Sequence, residues 1–231
     1  MKQLEVIRIT VPVSYDLMLE KQKVRHEAVV RGEKPNTLFL LEHEPVITLG
    51  RNAHEAHLLT SRENIANQGV ALHEVDRGGD VTYHGPGQLV AYPILDLNQW
   101  KRSLNWYLRE LEQVIIDQLA QYGIEASREP NYTGVWVGNA KVAAIGIGVR
   151  KWVTFHGIAL NINPNMSHFG LIVPCGIQDK SVTSLEALLD TDRPDLSQAA
   201  QDFTAVFCDR FQLEPSSIIE TALSEWNGGS I

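Results

Sequence analysis

Three apolar stretches follow one another so closely that they dictate much of the fold: Gly134 to Val137, Val142 to Val149 and Val153 to Ile162. The connections between them are too short for a helical crossover, which needs about a dozen residues, so they are expected to pair as antiparallel hairpins. Further strands are expected at Leu4 to Ile9, Thr37 to Leu41, Val46 to Leu49, Ala71 to Asp76 and Leu89 to Leu95, with the turn-prone Glu42-His43-Glu44-Pro45 between the second and third. Helical spacing predicts a helix over Tyr15 to Val30, with Leu17, Val24 and Ala28 as apolar positions and Arg31-Gly32 at its end. Ser103 is placed to cap a long amphipathic helix running to about Tyr122, closed by Gly123, with Leu104, Leu108, Leu111, Ile115 and Leu119 along one face. Two more helices are expected near Leu196 to Phe211 and Pro215 to Trp226. No linker or repeat interrupts the series, so residues 1–231 read as one α/β (α+β) domain.

Composition narrows the function classes. Hydrophobic residues at 44% and charged residues at 21% are enough to build a core without a partner. A formal charge of -8 argues against a nucleic-acid binder, which would display a basic stripe. Two cysteines are too few for a disulfide framework, which points to a reducing compartment. The start MKQLEVIRIT lacks a signal-peptide pattern, and no apolar run of about 18 residues occurs, so a cytoplasmic protein is expected.

Cys175 stands between Pro174 and Gly176 in a loop that no periodic core pattern claims, whereas Cys208 lies in a helical apolar pattern that suits a buried thiol. Spacing alone leaves Cys175 open to either reading, nucleophile or incidental thiol. A cysteine nucleophile needs a neighbouring base or cation to hold it as thiolate. Histidine is the usual partner; Lys141, at the head of an otherwise uncharged strand, is the unusual alternative. Burial there would favour the neutral amine, a proton acceptor, while the bland alternative is a strand-end lysine that snorkels to solvent. Arg77 to Gln88 carries four glycines in twelve residues, fit for close approach of a ligand to the main chain, but lacks the endings of a P-loop or a dinucleotide loop.

Four blocks, Arg77 to Gln88, Lys141-Val-Ala-Ala-Ile-Gly146, His156-Gly-Ile-Ala-Leu-Asn161 and Val173-Pro-Cys-Gly176, together resemble in order and spacing the signature of the lipoyl(octanoyl) transferases, the lipoate-protein ligase B family. The resemblance spans residues 37 to 190. It implies a single domain with a mixed, largely antiparallel sheet flanked by helices, as in the biotin and lipoate protein ligases. It also implies that Cys175 carries an octanoyl thioester and that Lys141 activates its thiol. Arg77, Gly78, Gly79, Asp80, Val81, Thr82, Tyr83, His84, Ala144, Ile145, Gly146, Gly157, Ile158 and Ala159 would line the acyl site. The implied donor is octanoyl-acyl carrier protein, which brings its own phosphopantetheine; the acceptors are lipoyl domains of 2-oxoacid dehydrogenase E2 subunits and the glycine cleavage H protein. No ATP, metal, nucleic acid or membrane is implied, and a monomer is expected.

Because such carriers are commonly acidic, a net charge of -8 calls for a local basic face, with Arg51, Lys101, Arg102, Arg150 and Lys151 as candidates. Backbone amides near Gly176 or in the Arg77 loop, with His84, are candidate donors to a tetrahedral intermediate. Three rivals stand beside this reading: an ATP-dependent ligase on the same fold; a metallohydrolase using His43, His54, His57, His73 and His84 with Glu42, Glu44 and Glu55; and a binding module without turnover. The histidine spacings form no compact ligand set.

Overall fold

The computed structural model describes residues 2–174 and 180–222. The strands are β1 (Lys2–Ile9), β2 (Asn36–Leu41), β3 (Val46–Leu49), β4 (Ala71–Glu74), β5 (Val81–His84), β6 (Gln88–Ile94), β7 (Ser127–Glu129), β8 (Tyr132–Val137), β9 (Ala140–Arg150), β10 (Val153–Asn161), β11 (Ser181–Val182) and β12 (Leu213–Thr221). The helices are α1 (Tyr15–Val30), α2 (Arg62–Asn67), α3 (Leu104–Gln121), α4 (Leu185–Leu188) and α5 (Leu196–Phe211). The main sheet runs β12-β1-β2-β6-β10-β9-β8-β7, with β11 beside β9; β4-β3-β5 form a second, small sheet. From β2 to β7 every neighbouring pair of the main sheet is antiparallel, while β1 runs parallel to both β2 and β12. The β8-β9-β10 hairpins therefore match the expectation from short connections, and the mixed, largely antiparallel sheet matches the one the resemblance implies.

β2 and β6 are buried along their whole length, because helices cover both faces of the sheet. Leu38, Leu40, Leu89 and Ala91 point to the side of α3 and α5, where Leu111, Ile115, Leu119, Phe203 and Phe207 meet them. Their alternates Phe39, Leu41, Val90, Tyr92 and Ile94 point to α1. Ser103 caps α3 as expected, its side chain accepting from the Trp106 amide. Leu104, at the head of that helix, is nevertheless exposed.

Two expectations are corrected. The face of α1 that packs on the sheet is not the one marked by Leu17 and Val24, which are 40% and 60% exposed; it carries Tyr15, Met18, Gln22, Arg25, His26 and Val29. The polar members meet fixed polar partners: Gln22 Oε1 accepts from the His156 amide at 2.8 Å, and His26 Nε2 bonds the Val153 carbonyl at 3.1 Å. Arg25 pairs with Glu5. Apolar periodicity cannot find such a face. The stretch from Pro215 is strand β12 and not a helix, with residues 223–226 outside the described residues. Gln212 ends α5 in a left-handed conformation, and the β-branched Ile218, Ile219 and Thr221 then pair with β1. Pro215, which has no N–H, sits beside a register shift, and Ser216 Oγ reaches the Leu4 carbonyl at 3.1 Å.

The expected strand from Ala71 ends at Glu74, and the glycine-rich segment that follows contains β5, paired antiparallel with β3.

Candidate active site

Two close approaches fix the glycine-rich segment. The Gly78 amide donates to the Ile147 carbonyl on β9 at 3.0 Å, and a Cβ on Gly146 would meet the Gly78 oxygen at 2.9 Å and Arg77 Cδ at 3.1 Å. Gly146 therefore makes room for the loop. The Arg77 guanidinium turns back to β3, donating through Nη2 to the Thr48 carbonyl and hydroxyl, each at 2.8 Å. It is a strut of the small sheet as well as part of the site.

Between the two sheets lies a cavity of about 450 Å³. Of the residues expected to line the acyl site, Arg77, Gly78, Gly79, Asp80, Thr82, His84, Ala144, Ile145, Gly146, Gly157, Ile158 and Ala159 surround it, together with Lys141. Val81 and Tyr83 do not. Side chains alternate along β5, so Thr82 and His84 face the cavity while Val81 and Tyr83 enter the core with Ile47, Phe169 and Leu171. The Tyr83 hydroxyl bonds His168 Nδ1 at 2.8 Å, and burial pushes it up to about 12.

One wall is a cluster of histidines and tyrosines. His43 Nδ1 faces the Val13 carbonyl at 3.0 Å and so carries the proton, leaving Nε2 to accept from the Tyr92 hydroxyl at 2.8 Å. His84 Nδ1 faces Gln88 Oε1 at 3.1 Å, and Gln88 is oriented because its amide donates to the Tyr83 carbonyl and to Asn161 Oδ1. His84 Nε2 is thereby an acceptor, which removes His84 from the candidate donors to an oxyanion. His156 Nε2 bonds Asp76 Oδ1 at 3.0 Å, and Nδ1 lies 3.4 Å from the Tyr15 hydroxyl. His156 does so from a left-handed backbone conformation, φ 57°, inside β10. Burial lowers His43 to about 4 and holds His84 well below the usual histidine range, with His43 and Arg77 adding to the effect on His84. For His156 burial outweighs the opposing pull of Asp76. Burial also raises Tyr15 and Tyr92. At neutral pH this wall is uncharged apart from Asp76, whose carboxyl the His156 hydrogen bond holds below the usual range.

Lys141 lines the same cavity and is only 5% exposed. Its Nζ donates to the Thr133 carbonyl at 3.2 Å and sits 4.7 Å from the centre of the Trp136 ring. Burial rules out the solvent-snorkelling alternative. A second, much smaller cavity of about 10 Å³, near the size that holds one water, is lined by Thr82, Lys141, Ala144 and Pro174 among others. Lys141 thus belongs to both cavities, and Pro174 immediately precedes Cys175 in the chain. Cys175 itself lies outside the described residues. The described chain on either side is tied down: the Val173 amide donates to the His57 carbonyl at 2.8 Å, and the Thr183 amide to the Lys141 carbonyl at 2.9 Å. Cys208 is a partly buried helix residue whose thiol burial pushes up to about 11.

Comparison with known proteins follows the same lines. Residues 14–211 match the family described as the lipoyl protein ligase A/B catalytic domain. The octanoyltransferase of Solibacter usitatus is 50% identical over 87% of this chain and 90% of its own. The chain belongs to the octanoyltransferases. It is an acyltransferase. The octanoyltransferase of Caldicellulosiruptor saccharolyticus is 51% identical over 77% of this chain and 76% of its own. The fold extends further: a lipoate-protein ligase A solved with ATP superposes with a TM-score of 0.72 at 14% identity, over 96% of this chain and 91% of that one.

The octanoyltransferase cavity has lining residues that the sequence did not single out: Tyr15, Asn52, Tyr92, Leu108, Asn131, Tyr132, Thr133 and His156. Only His156 carried a signal, as the first residue of a motif block. Among the described residues no group of three or more His, Cys, Asp or Glu side chains is arranged to hold a metal ion. His73 instead lies 3.1 Å from Asp16, and His57 lies 2.7 Å from Asp80. Among the described residues no helix is long and apolar enough to cross a membrane.

Proposed function

We propose that this octanoyltransferase carries the octanoyl group of octanoyl-acyl carrier protein, by way of a thioester on Cys175, to the ε-amine of a specific lysine in lipoyl domains. These domains are those of 2-oxoacid dehydrogenase E2 subunits and of the glycine cleavage H protein. The Cys175 thiolate attacks the donor carbonyl, the bond from that carbon to the phosphopantetheine sulfur breaks, and the departing sulfur takes a proton from the Lys141 ammonium. The neutral amine of the acceptor lysine then attacks the acyl-enzyme; the bond to the Cys175 sulfur breaks, an amide forms, and Lys141 takes the proton that the amine gives up. Exchange of one thioester for another is nearly balanced and amide formation is downhill, so the reaction needs neither ATP nor a metal.

The observation that carries this reading is the burial of Lys141 on the boundary of two cavities, the smaller of which is bordered by the residue before Cys175. The octanoyl chain would lie along Ala144, Ile145 and Gly146 and beneath Gly157, Ile158 and Ala159, each buried methylene contributing about 0.8 kcal/mol. Arg77, Gly78, Gly79, Asp80, Thr82 and His84 would close the other side. Arg51, Lys101, Arg102, Arg150 and Lys151, all exposed, offer cations to acidic carriers.

The test is intact-protein mass spectrometry after mixing the protein with octanoyl-acyl carrier protein in the absence of ATP, for wild type, Cys175→Ala and Lys141→Ala. A hydroxylamine-labile octanoyl adduct that requires Cys175 and forms slowly without Lys141 is expected. Activity that appears only on adding ATP, with no adduct, would replace this reading by that of a ligase.

A further inference from the structure

Among the described residues Glu112 is the most deeply buried carboxylate side chain beside the site, 1% exposed on the face of α3 that meets β8, and no step of the proposed reaction uses it. Burying a carboxylate is costly unless every lone pair finds a donor. One oxygen, Oε2, is held by Arg109 Nη1 at 2.7 Å and Arg128 Nε at 3.1 Å. The other, Oε1, accepts from the backbone amide of Gly134 at 3.2 Å. That amide belongs to the same peptide unit as the Thr133 carbonyl, and it is the Thr133 carbonyl that accepts from Lys141 Nζ at 3.2 Å. A carboxylate on the N–H end of a peptide polarises its carbonyl, so the two hydrogen bonds strengthen one another across the peptide plane.

We infer that Glu112 is a positioning residue for Lys141, acting through the Thr133–Gly134 peptide, which it orients and polarises so that the ammonium is held at the boundary of the two cavities. Gly134 gives independent geometric support. Its φ is 134°, and a Cβ there would stand 2.8 Å from the Ala143 oxygen and 3.2 Å from Lys141 Cε. The lysine stem therefore passes against the bare α-carbon of the very peptide that receives its head group. The competing role for Glu112 is a plain staple between α3 and the β7–β8 hairpin, which Arg109 and Arg128 would also serve.

The inference rests on Lys141 acting in the reaction, and the experiment separates the two. The rate of octanoyl adduct formation is measured for wild type, Glu112→Gln, Lys141→Ala and the double variant, with the thermal midpoint of each recorded. Glu112→Gln keeps shape and an acceptor oxygen but removes the charge, and it is expected to slow adduct formation about tenfold in the wild-type background and not at all in the Lys141→Ala background. An equal slowing in both backgrounds would leave only the staple and overturn the inference. A wild-type rate in Lys141→Ala would instead sink the reaction on which the inference rests. A second measurement leaves Glu112 untouched: the Gly134 amide resonance of the otherwise intact protein is expected to move on Lys141→Ala. If Glu112→Gln does not fold, a Gly134 resonance indifferent to Lys141→Ala overturns the inference by itself.

Discussion

The helices on the two sides of the sheet do different work. α3 and α5 bury leucine, isoleucine and phenylalanine and make the larger part of the core. α1 buries Gln22, Arg25 and His26 along with Met18 and Val29, and its first residue, Tyr15, lines the cavity. The difference lies in what each helix must satisfy. The α3 side of the sheet takes mainly apolar volume, with Glu112 and Gln118 as its buried polar exceptions, whereas the α1 side presents a strand distorted at His156, with an amide that needs an acceptor. α1 is therefore both a structural layer and the outer shell of the histidine wall.

That contrast can be broken most forcefully on the α3 side. Leu111→Ala removes a fully buried side chain from the large core and is expected to destabilise the protein by about 2–5 kcal/mol, read from the denaturant midpoint. Adduct formation per folded molecule should stay near wild type, because Leu111 touches neither cavity. A fall in that rate at full folding would mean that the core layer also tunes the site.

On the α1 side the sensitive variable is pH. His43 has a folded pKa of about 4 against an ordinary 6.5, with His84, His156 and His26 lowered in the same sense. The unfolded chain then binds more protons than the folded one, so stability is fully present above pH 6.5 and falls as pH drops from there toward 4. For His43 alone the loss is about 3 kcal/mol, since each tenfold difference in proton affinity between the folded and unfolded chain is worth roughly 1.4 kcal/mol. Unfolding followed between pH 7 and 4.5 should show this slope, and His43→Gln should flatten it. A wild-type curve that stays level over that range would show that the wall takes up protons without unfolding.

How much of this was legible in the sequence follows the same division. The β8-β9-β10 hairpins, the cap of α3 and its face apart from the exposed Leu104, and α5 were readable because apolar period and turn chemistry determine them locally. The glycine-rich segment was readable as a ligand-facing loop, yet its four central residues form β5, so two of the residues assigned to the site, Val81 and Tyr83, turn out to face a core instead. Strand alternation would have separated them had the strand been seen beneath the glycines. Tyr15 and Tyr92 reach the cavity from elements distant in the chain and carry no local mark of a site. β12 was misread because Ile218, Ile219 and Thr221 suit a strand only when β1 offers an edge, which is a long-range fact.

The smallest effect is also the sharpest test of the α1 reading, because it sets two residues of one helix against each other. Sequence pattern placed Val24 in the core and gave Gln22 no role; in the fold Val24 is exposed and Gln22 is buried. Val24→Ala should change stability by no more than about 0.5 kcal/mol, as surface substitutions do. Gln22→Leu, apolar and of similar size, should cost about 1–3 kcal/mol because it strands the buried His156 amide. It should also slow octanoyl transfer, since the His156 ring borders the cavity from a strained backbone that Gln22 helps to hold. If Gln22→Leu proved neutral and Val24→Ala costly, α1 would be an ordinary amphipathic helix packed by its apolar face, and the histidine wall would owe its geometry to the sheet alone.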